Sequence, residues 1–175
     1  MGVKVFEARK FSVYVEKFQL PNGKVKETAY VAHKGSVVIA PFLSSNELIM
    51  VRQYRPIAGK WLLEFPAGTI EGNEPPEVTA MRELEEETGY RAGKLKHLFS
   101  FYVSPGVTNE KMHAFVAADL ERTEQKLEDY EVIEVKTVSL DDVVSMASAG
   151  EIEDGKSLTL ALYLALNRHK LQDLL

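Results

Sequence analysis

The sequence predicts an α/β fold in which a mixed central sheet is covered by helices and preceded by an N-terminal antiparallel β hairpin. Three observations predict it. Strand-like runs come in consecutive groups with helical runs between or after them, an order that argues against a doubly wound parallel sheet. An Asn22-Gly23 pair separates the first two strand-like runs, which is the strongest short-range hairpin signal. The 175 residues fit one ordinary domain plus a small appended element, and that length suffices to bury a core without disulfide or metal staples. The expected division is a hairpin element over 1–35 and a main domain over 36–175.

The elements follow in order. Residues 11–20 and 24–33 carry β-branched and aromatic side chains in partial alternation and read as the two hairpin arms. Residues 37–43 and 47–54 form a second strand pair around Ser44-Ser45-Asn46, and 61–65 is a short strand running into Pro66-Ala67-Gly68. Trp61 is expected in the core. A long loop then leads to a helix over 75–88. Pro75 and Pro76 suit its first turn, where a missing N–H costs nothing, and Gly89 suits its C-terminal cap. Val78, Met81, Leu84 and Thr88 form its inward stripe. Strands are expected over 95–103, 112–120 and 132–138, with 121–131 as a surface loop of mixed charge. Ser139-Leu140-Asp141-Asp142 opens a helix that ends at Gly150, and a last helix covers 157–171.

Composition excludes several classes of function. There are 21 Lys and Arg against 26 Asp and Glu, a net charge of −5, so the basic surface of a nucleic-acid binder is missing. With no cysteine there is no disulfide framework, thiolate zinc site or cysteine nucleophile. The first ten residues lack the apolar run of a signal peptide, and Phe6 stands where a myristoylation signal needs Ser or Thr. The longest apolar stretch, 158–166, is about half a membrane span. A soluble, cytoplasmic protein with no membrane or nucleic-acid partner is expected. His33, His97, His113 and His169 show no ligand spacing, and neither a Gly-x-Ser-x-Gly elbow nor a Walker loop occurs.

The informative stretch runs from Gly68 to Tyr90. Between positions 71 and 87 lie Glu71, Glu74, Glu77, Glu83, Glu85, Glu86 and Glu87 against a single base, Arg82. On a helix Glu83 lies beside Glu86 and Glu87, and like charges at that spacing destabilise a helix by about 0.2–0.5 kcal/mol per pair. Crowded oxygen ligands of this kind suit hard divalent cations such as Mg²⁺ or Mn²⁺ rather than zinc. The bland alternative is a solvated acidic face.

The spacing decides between them. Gly68, Glu74, Arg82, Glu83, Leu84, Glu86, Glu87 and Gly89 fall in register with the box G-x5-E-x7-R-E-U-x-E-E-x-G-U, where U is bulky and apolar, so the stretch resembles the Nudix hydrolase family. Tyr90 departs mildly from the aliphatic residue usual at the end. The resemblance implies an α/β/α sandwich that cleaves a nucleoside diphosphate linked to another group. It implies metal ligation by Glu83, Glu86 and Glu87 with the Ala67 carbonyl, Glu86 and Glu87 counting also as catalytic. Gly68, Glu74, Arg82 and Gly89 take structural roles in the motif, Arg82 orienting a glutamate and Glu74 bracing the loop.

Residues outside the box are similar to the ADP-ribose pyrophosphatase branch: Gln53-Tyr54-Arg55-Pro56, the run from Trp61 to Gly68, and Ser104-Pro105-Gly106. That resemblance implies hydrolysis of ADP-ribose to AMP and ribose 5-phosphate. Another nucleotide sugar, NADH or a dinucleoside polyphosphate is the alternative substrate, and a non-catalytic nucleotide sensor is the alternative class. Arg55, Glu64, Pro105 and Gly106 are then substrate-binding candidates, a guanidinium being well matched to phosphate oxygens. In the loop before the last strand, Glu131 is a candidate metal ligand and Asp129 or Glu128 the candidate base. The hairpin resembles an element that docks on a second subunit, which implies a homodimer with Lys26 and Glu27 contributing to substrate binding.

Overall fold

Strand β4 (Ser36–Pro41), buried along its whole length, pairs in parallel with β9 (Lys111–Arg122), and this pair organises the layers. Side chains alternate across the pleat. Val37, Ile39, Phe115 and Ala117 therefore face one side and pack on Ala80 and Leu84 of α1 (Pro76–Thr88). Val38, Ala40, Met112, Ala114 and Val116 face the other side. There they meet Leu140, Val143 and Ala147 of α2 (Leu140–Ala149) and Leu160, Ala161 and Leu164 of α3 (Gly155–Leu166). A strand covered on both faces must be apolar throughout, and Val37-Val38-Ile39-Ala40 is. The helix–sheet–helix layering follows from that pattern.

The computed structural model describes residues 2–171. Met1 and residues 172–175, the outermost positions of the two expected domains, lie outside the described residues. The central sheet is mixed, in the order β7 (Ala67–Thr69), β4, β9, β8 (Tyr90–Tyr102). A separate antiparallel sheet runs β10 (Ile133–Ser139), β5 (Glu47–Arg55), β6 (Lys60–Glu64). The hairpin arms, β2 (Ser12–Gln19) and β3 (Val25–Ala32), pair from Ser12 with Ala32 to Gln19 with Val25. Gly23 takes φ +80° at their turn, and the Asn22 side chain accepts the Lys24 N–H at 3.1 Å. Among the described residues no helix is long and apolar enough to cross a membrane.

Several expectations need correction. The hairpin is joined by an unexpected strand, β1 (Val3–Glu7), whose side chains are exposed; with no face to bury, its sequence carries little strand pattern. The short strand β7 occupies the expected loop after Pro66, where three residues are too few for a periodic signal. Strand β8 begins at Tyr90, directly at the end of α1, and absorbs a bulge between His97 and Phe99. The inward stripe of α1 is rotated. Val78 is 50% exposed, whereas Thr79, Ala80, Leu84, Glu87 and Thr88 are buried. Trp61 is only half-buried, with the Arg52 guanidinium 4.6 Å above its ring and the Tyr54 ring against its edge. The last helix starts two residues early, at Gly155, and breaks at Asn167 before the short α4 (Arg168–Leu171).

Candidate active site

Helix α1 carries Glu83 and Glu87 one turn apart, and the loop before it lets them turn inward. Glu83 lies directly against Gly68: a Cβ there would sit 1.9 Å from the Glu83 carboxyl carbon. Glu87 is only 4% exposed and accepts the Ala67 N–H on Oε2 at 3.0 Å. Ala67 is held in turn by β7 pairing opposite Val38. The backbone between Pro66 and Thr69 thus forms a floor for two carboxylates.

That burial is electrostatically costly. Burial, together with the neighbouring charges of Glu86 and Glu131, pushes the Glu83 carboxyl up to about 7 despite the adjacent Arg82. Burial, reinforced by Glu83 and Glu131, pushes Glu87 up to about 8 against the opposing pulls of the Ala67 N–H and Lys156. Carboxyl groups held this far from their ordinary range mark a place where positive charge is wanted.

Arg82 supplies part of it. Its Nη1 donates to Glu83 at 2.8 Å and to Glu86 at 3.0 Å, and its Nη2 donates to Glu74 at 3.0 Å. Glu74 Oε1 also accepts the Glu71 N–H at 3.1 Å and the Thr79 hydroxyl at 2.8 Å. Although burial works against it, these donors hold the Glu74 carboxyl below its usual range. The loop from Glu71 to Glu74 is therefore tied to the helix through one carboxylate. Gly89 ends the helix in the left-handed region at φ +71°, its N–H bonded to the Glu85 carbonyl.

A cleft of about 540 Å³ opens beside these residues. Glu83, Glu86, Glu128 and Glu131 line it, as do Arg9, Lys10, His33 and Lys34. In the loop before β10, Glu128 and Glu131 lock each other: the Glu131 side chain accepts the Glu128 N–H at 3.1 Å, and the Glu131 N–H donates to the Glu128 carbonyl at 2.9 Å. Arg9, from the turn between β1 and β2, donates to both the Glu128 carboxylate and the Tyr130 hydroxyl. The Arg9 bond holds the Glu128 carboxyl below its ordinary range. Asp129 is exposed. Arg9 and Lys10 escaped the sequence reading because they stand in a short exposed segment with no motif.

The remaining sequence-predicted residues do not line this cleft. Glu64, expected to contact substrate, is instead 1% exposed, and its oxygens accept Arg55 Nε at 2.7 Å and Arg55 Nη2 at 2.6 Å. Lys156 also donates to it. Pro105 and Gly106 lie in the exposed turn between β8 and β9, which Val31 and Thr108 bridge to the hairpin. Lys26 and Glu27 fall on opposite faces of β3 by strand alternation. Lys26 pairs opposite Phe18, while Glu27 approaches Lys17 at 3.6 Å on the exposed surface. Two of the histidines serve elsewhere: Ser100 Oγ lies 2.9 Å from both His97 Nε2 and His113 Nδ1.

The donor set fits a hard divalent cation. Glu83, Glu86, Glu87 and Glu131 offer only oxygens, and Gly68 provides a cradle that any side chain would fill. As placed, no three acidic or imidazole groups among the described residues enclose a common centre, and Arg82 Nη1 bridges Glu83 and Glu86.

Comparisons with known proteins agree with this geometry. The family model for the NUDIX domain matches residues 32–161. An ADP-ribose pyrophosphatase of Bacillus subtilis (strain 168) is 39% identical over 165 residues, covering 93% of this chain and 89% of that protein. A methanol dehydrogenase activator of Bacillus methanolicus is 36% identical over 172 residues, covering 95% and 93%. A crystal structure of an ADP compounds hydrolase superposes with a TM-score of 0.78 at 23% identity, over 99% of this chain and 92% of that one, which shows a shared fold. With the acidic box in register on α1 and its flanking elements matched over most of the chain, this protein belongs to the NUDIX family and is a hydrolase of that family.

Proposed function

We propose that the chain hydrolyses the pyrophosphate bond of ADP-ribose to AMP and ribose 5-phosphate, using Mg²⁺ or Mn²⁺ held by Glu83, Glu86, Glu87 and Glu131 with the Ala67 carbonyl. The observation that carries this reading is the seating of Glu83 on Gly68 with Glu87 buried behind it, both with raised proton affinity. Identity to an ADP-ribose pyrophosphatase supports the choice of substrate.

A divalent cation bound there would neutralise diphosphate oxygens and acidify an attacking water. The chain's own residues do the rest. Arg9, Lys10 and Lys34 add positive charge to the lining of the cleft, which suits a diphosphate. The water oxygen forms a new bond to phosphorus, the bridging P–O bond breaks, and the water's proton passes to a carboxylate. Asp129 is the better base of the two candidates, because Glu128 is held ionised by Arg9 and so binds a proton weakly. Arg55, steadied by Glu64, is the group for a substrate phosphate outside the metal ligands. The hairpin docks on a second copy of the chain, a reading supported by exposed Phe18 and Val25 on its arms; an isolated hairpin is marginal in water.

Incubation with ADP-ribose and Mg²⁺ should yield equimolar AMP and ribose 5-phosphate, and EDTA should abolish it. No AMP at micromolar enzyme would overturn the assignment.

A further inference from the structure

The N-terminal turn of α3 is bonded to the strand end that carries the candidate site. Asp154 caps the helix by accepting the Ser157 N–H at 3.0 Å, and the same Oδ2 lies 2.9 Å from Lys156 Nζ. Ser157 is fully buried, and its Oγ accepts the Phe65 N–H at 2.8 Å. Lys156, itself mostly buried, donates to Glu64 Oε2. Two adjacent helical residues thus grip two adjacent residues of the β6 end, immediately before the Pro66-Ala67-Gly68 floor.

The charges balance within this group. Glu64 is buried and accepts two bonds from Arg55, whose guanidinium covers only one side of the carboxylate. The remaining lone-pair site on Oε2 goes to Lys156, and Asp154 offsets the added ammonium. Two anions and two cations therefore form one charge-balanced network around the buried Glu64. Arg55 spends Nε and Nη2 on Glu64, which leaves Nη1 without a protein partner among the described residues. The orientation of that free edge is set by the carboxylate plane of Glu64, and Lys156 helps to fix that plane.

We propose that Lys156 is a positioning residue for substrate binding: by locking Glu64 it aims the free Nη1 edge of Arg55 at a phosphate of a nucleoside diphosphate. The inference rests on the reading of this site as a diphosphate hydrolase. It assigns a function to the Gly155-Lys156-Ser157 turn, far in sequence from the acidic box.

The test uses Lys156→Met, Lys156→Arg and Arg55→Ala in the full chain, with ADP-ribose kinetics and the ¹⁵N–¹H signal of the Arg55 Nε–H group. Lys156→Met should lower kcat/KM about 10–100-fold, most of it in KM, the scale of loss for a misplacement near 1 Å. Its Arg55 Nε–H signal should shift and exchange faster with water. Lys156→Arg should recover part of the loss. In an Arg55→Ala background, Lys156→Met should cost little more, because the lysine acts through the arginine. Additive losses, or Lys156→Met kinetics within twofold of the unaltered protein, would overturn the proposal. If the unaltered protein fails to hydrolyse ADP-ribose, the functional reading fails separately. The Nε–H signal then decides alone, and an unchanged signal in Lys156→Met sinks the positioning role. Should Lys156→Met not fold, Lys156→Gln takes its place: an Nε–H signal and KM both identical to the unaltered protein would refute control of Arg55 by the ammonium.

Discussion

Gly68 and Glu83 touch so closely that a single methyl group between them would overlap the Glu83 carboxyl carbon at 1.9 Å. The Gly68 backbone is not in the left-handed region, so the requirement for glycine here is one of space alone. Gly68→Ala should therefore keep the fold while expelling the Glu83 carboxylate from its seat. The expected result is a loss of about 10²-fold or more in kcat. A circular dichroism spectrum should match that of the unaltered protein. Activity within threefold of normal would mean that Glu83 works from another position.

Glu87 makes the metal-free protein sensitive to pH, and the sign follows from its raised proton affinity. Between about 4.5 and 8 the folded state holds a proton that the unfolded chain has released, so stability falls as pH rises through that window. Glu87→Gln removes the titration and keeps a carbonyl to accept the Ala67 N–H. In EDTA at pH 8 it should be more stable by about 1–3 kcal/mol, and each kcal/mol raises Tm by about 2–4 °C at this size. It should also be inactive. Thermal melts across pH 5–8 check this; parallel Tm profiles for the two proteins would contradict it.

Ser157→Ala should destabilise through the Phe65 backbone. The change strands a buried N–H that now donates at 2.8 Å, at a cost of about 1–3 kcal/mol. Denaturant titration should give a lower midpoint with an unchanged slope. A midpoint equal to that of the unaltered protein would place the contact outside the cooperative core.

A dimer built through the hairpin should sediment at twice 19.6 kDa. Phe18→Asp combined with Val25→Asp places charges on two exposed apolar positions of the arms and should shift the mass to that of a monomer. The far-ultraviolet spectrum should stay unchanged. A monomer before the substitutions, or a dimer after them, would disprove this use of the hairpin.

The acidic box was legible because its chemistry is local. Glu83, Glu86 and Glu87 lie within five residues, so helical geometry alone places them together, and Gly68 and Gly89 mark the loop and the cap by spacing. Strands β4 and β9 were legible for a similar reason, since burial on both faces leaves an apolar run that needs no partner to be seen. Strand β1 was not legible, because all five of its residues are exposed and burial imposes no alternation on it. The rotation of α1 that exposes Val78 and buries Thr79 was hidden because a small helix-facing stripe is decided by what packs against it.

The order and type of residues along the chain determined the family, the hairpin turn and the carboxylate cluster, since each depends on contacts between near neighbours. The tertiary structure decided which groups those carboxylates meet. Arg9 reaches Glu128 across 119 positions, and Lys156 reaches Glu64 across 92. The seating of Glu64 as a buried anchor for Arg55 arises only when α3 closes over the end of β6. Pairings at such separations leave no periodicity in the sequence, because they are fixed by how the layers stack rather than by the backbone that carries them.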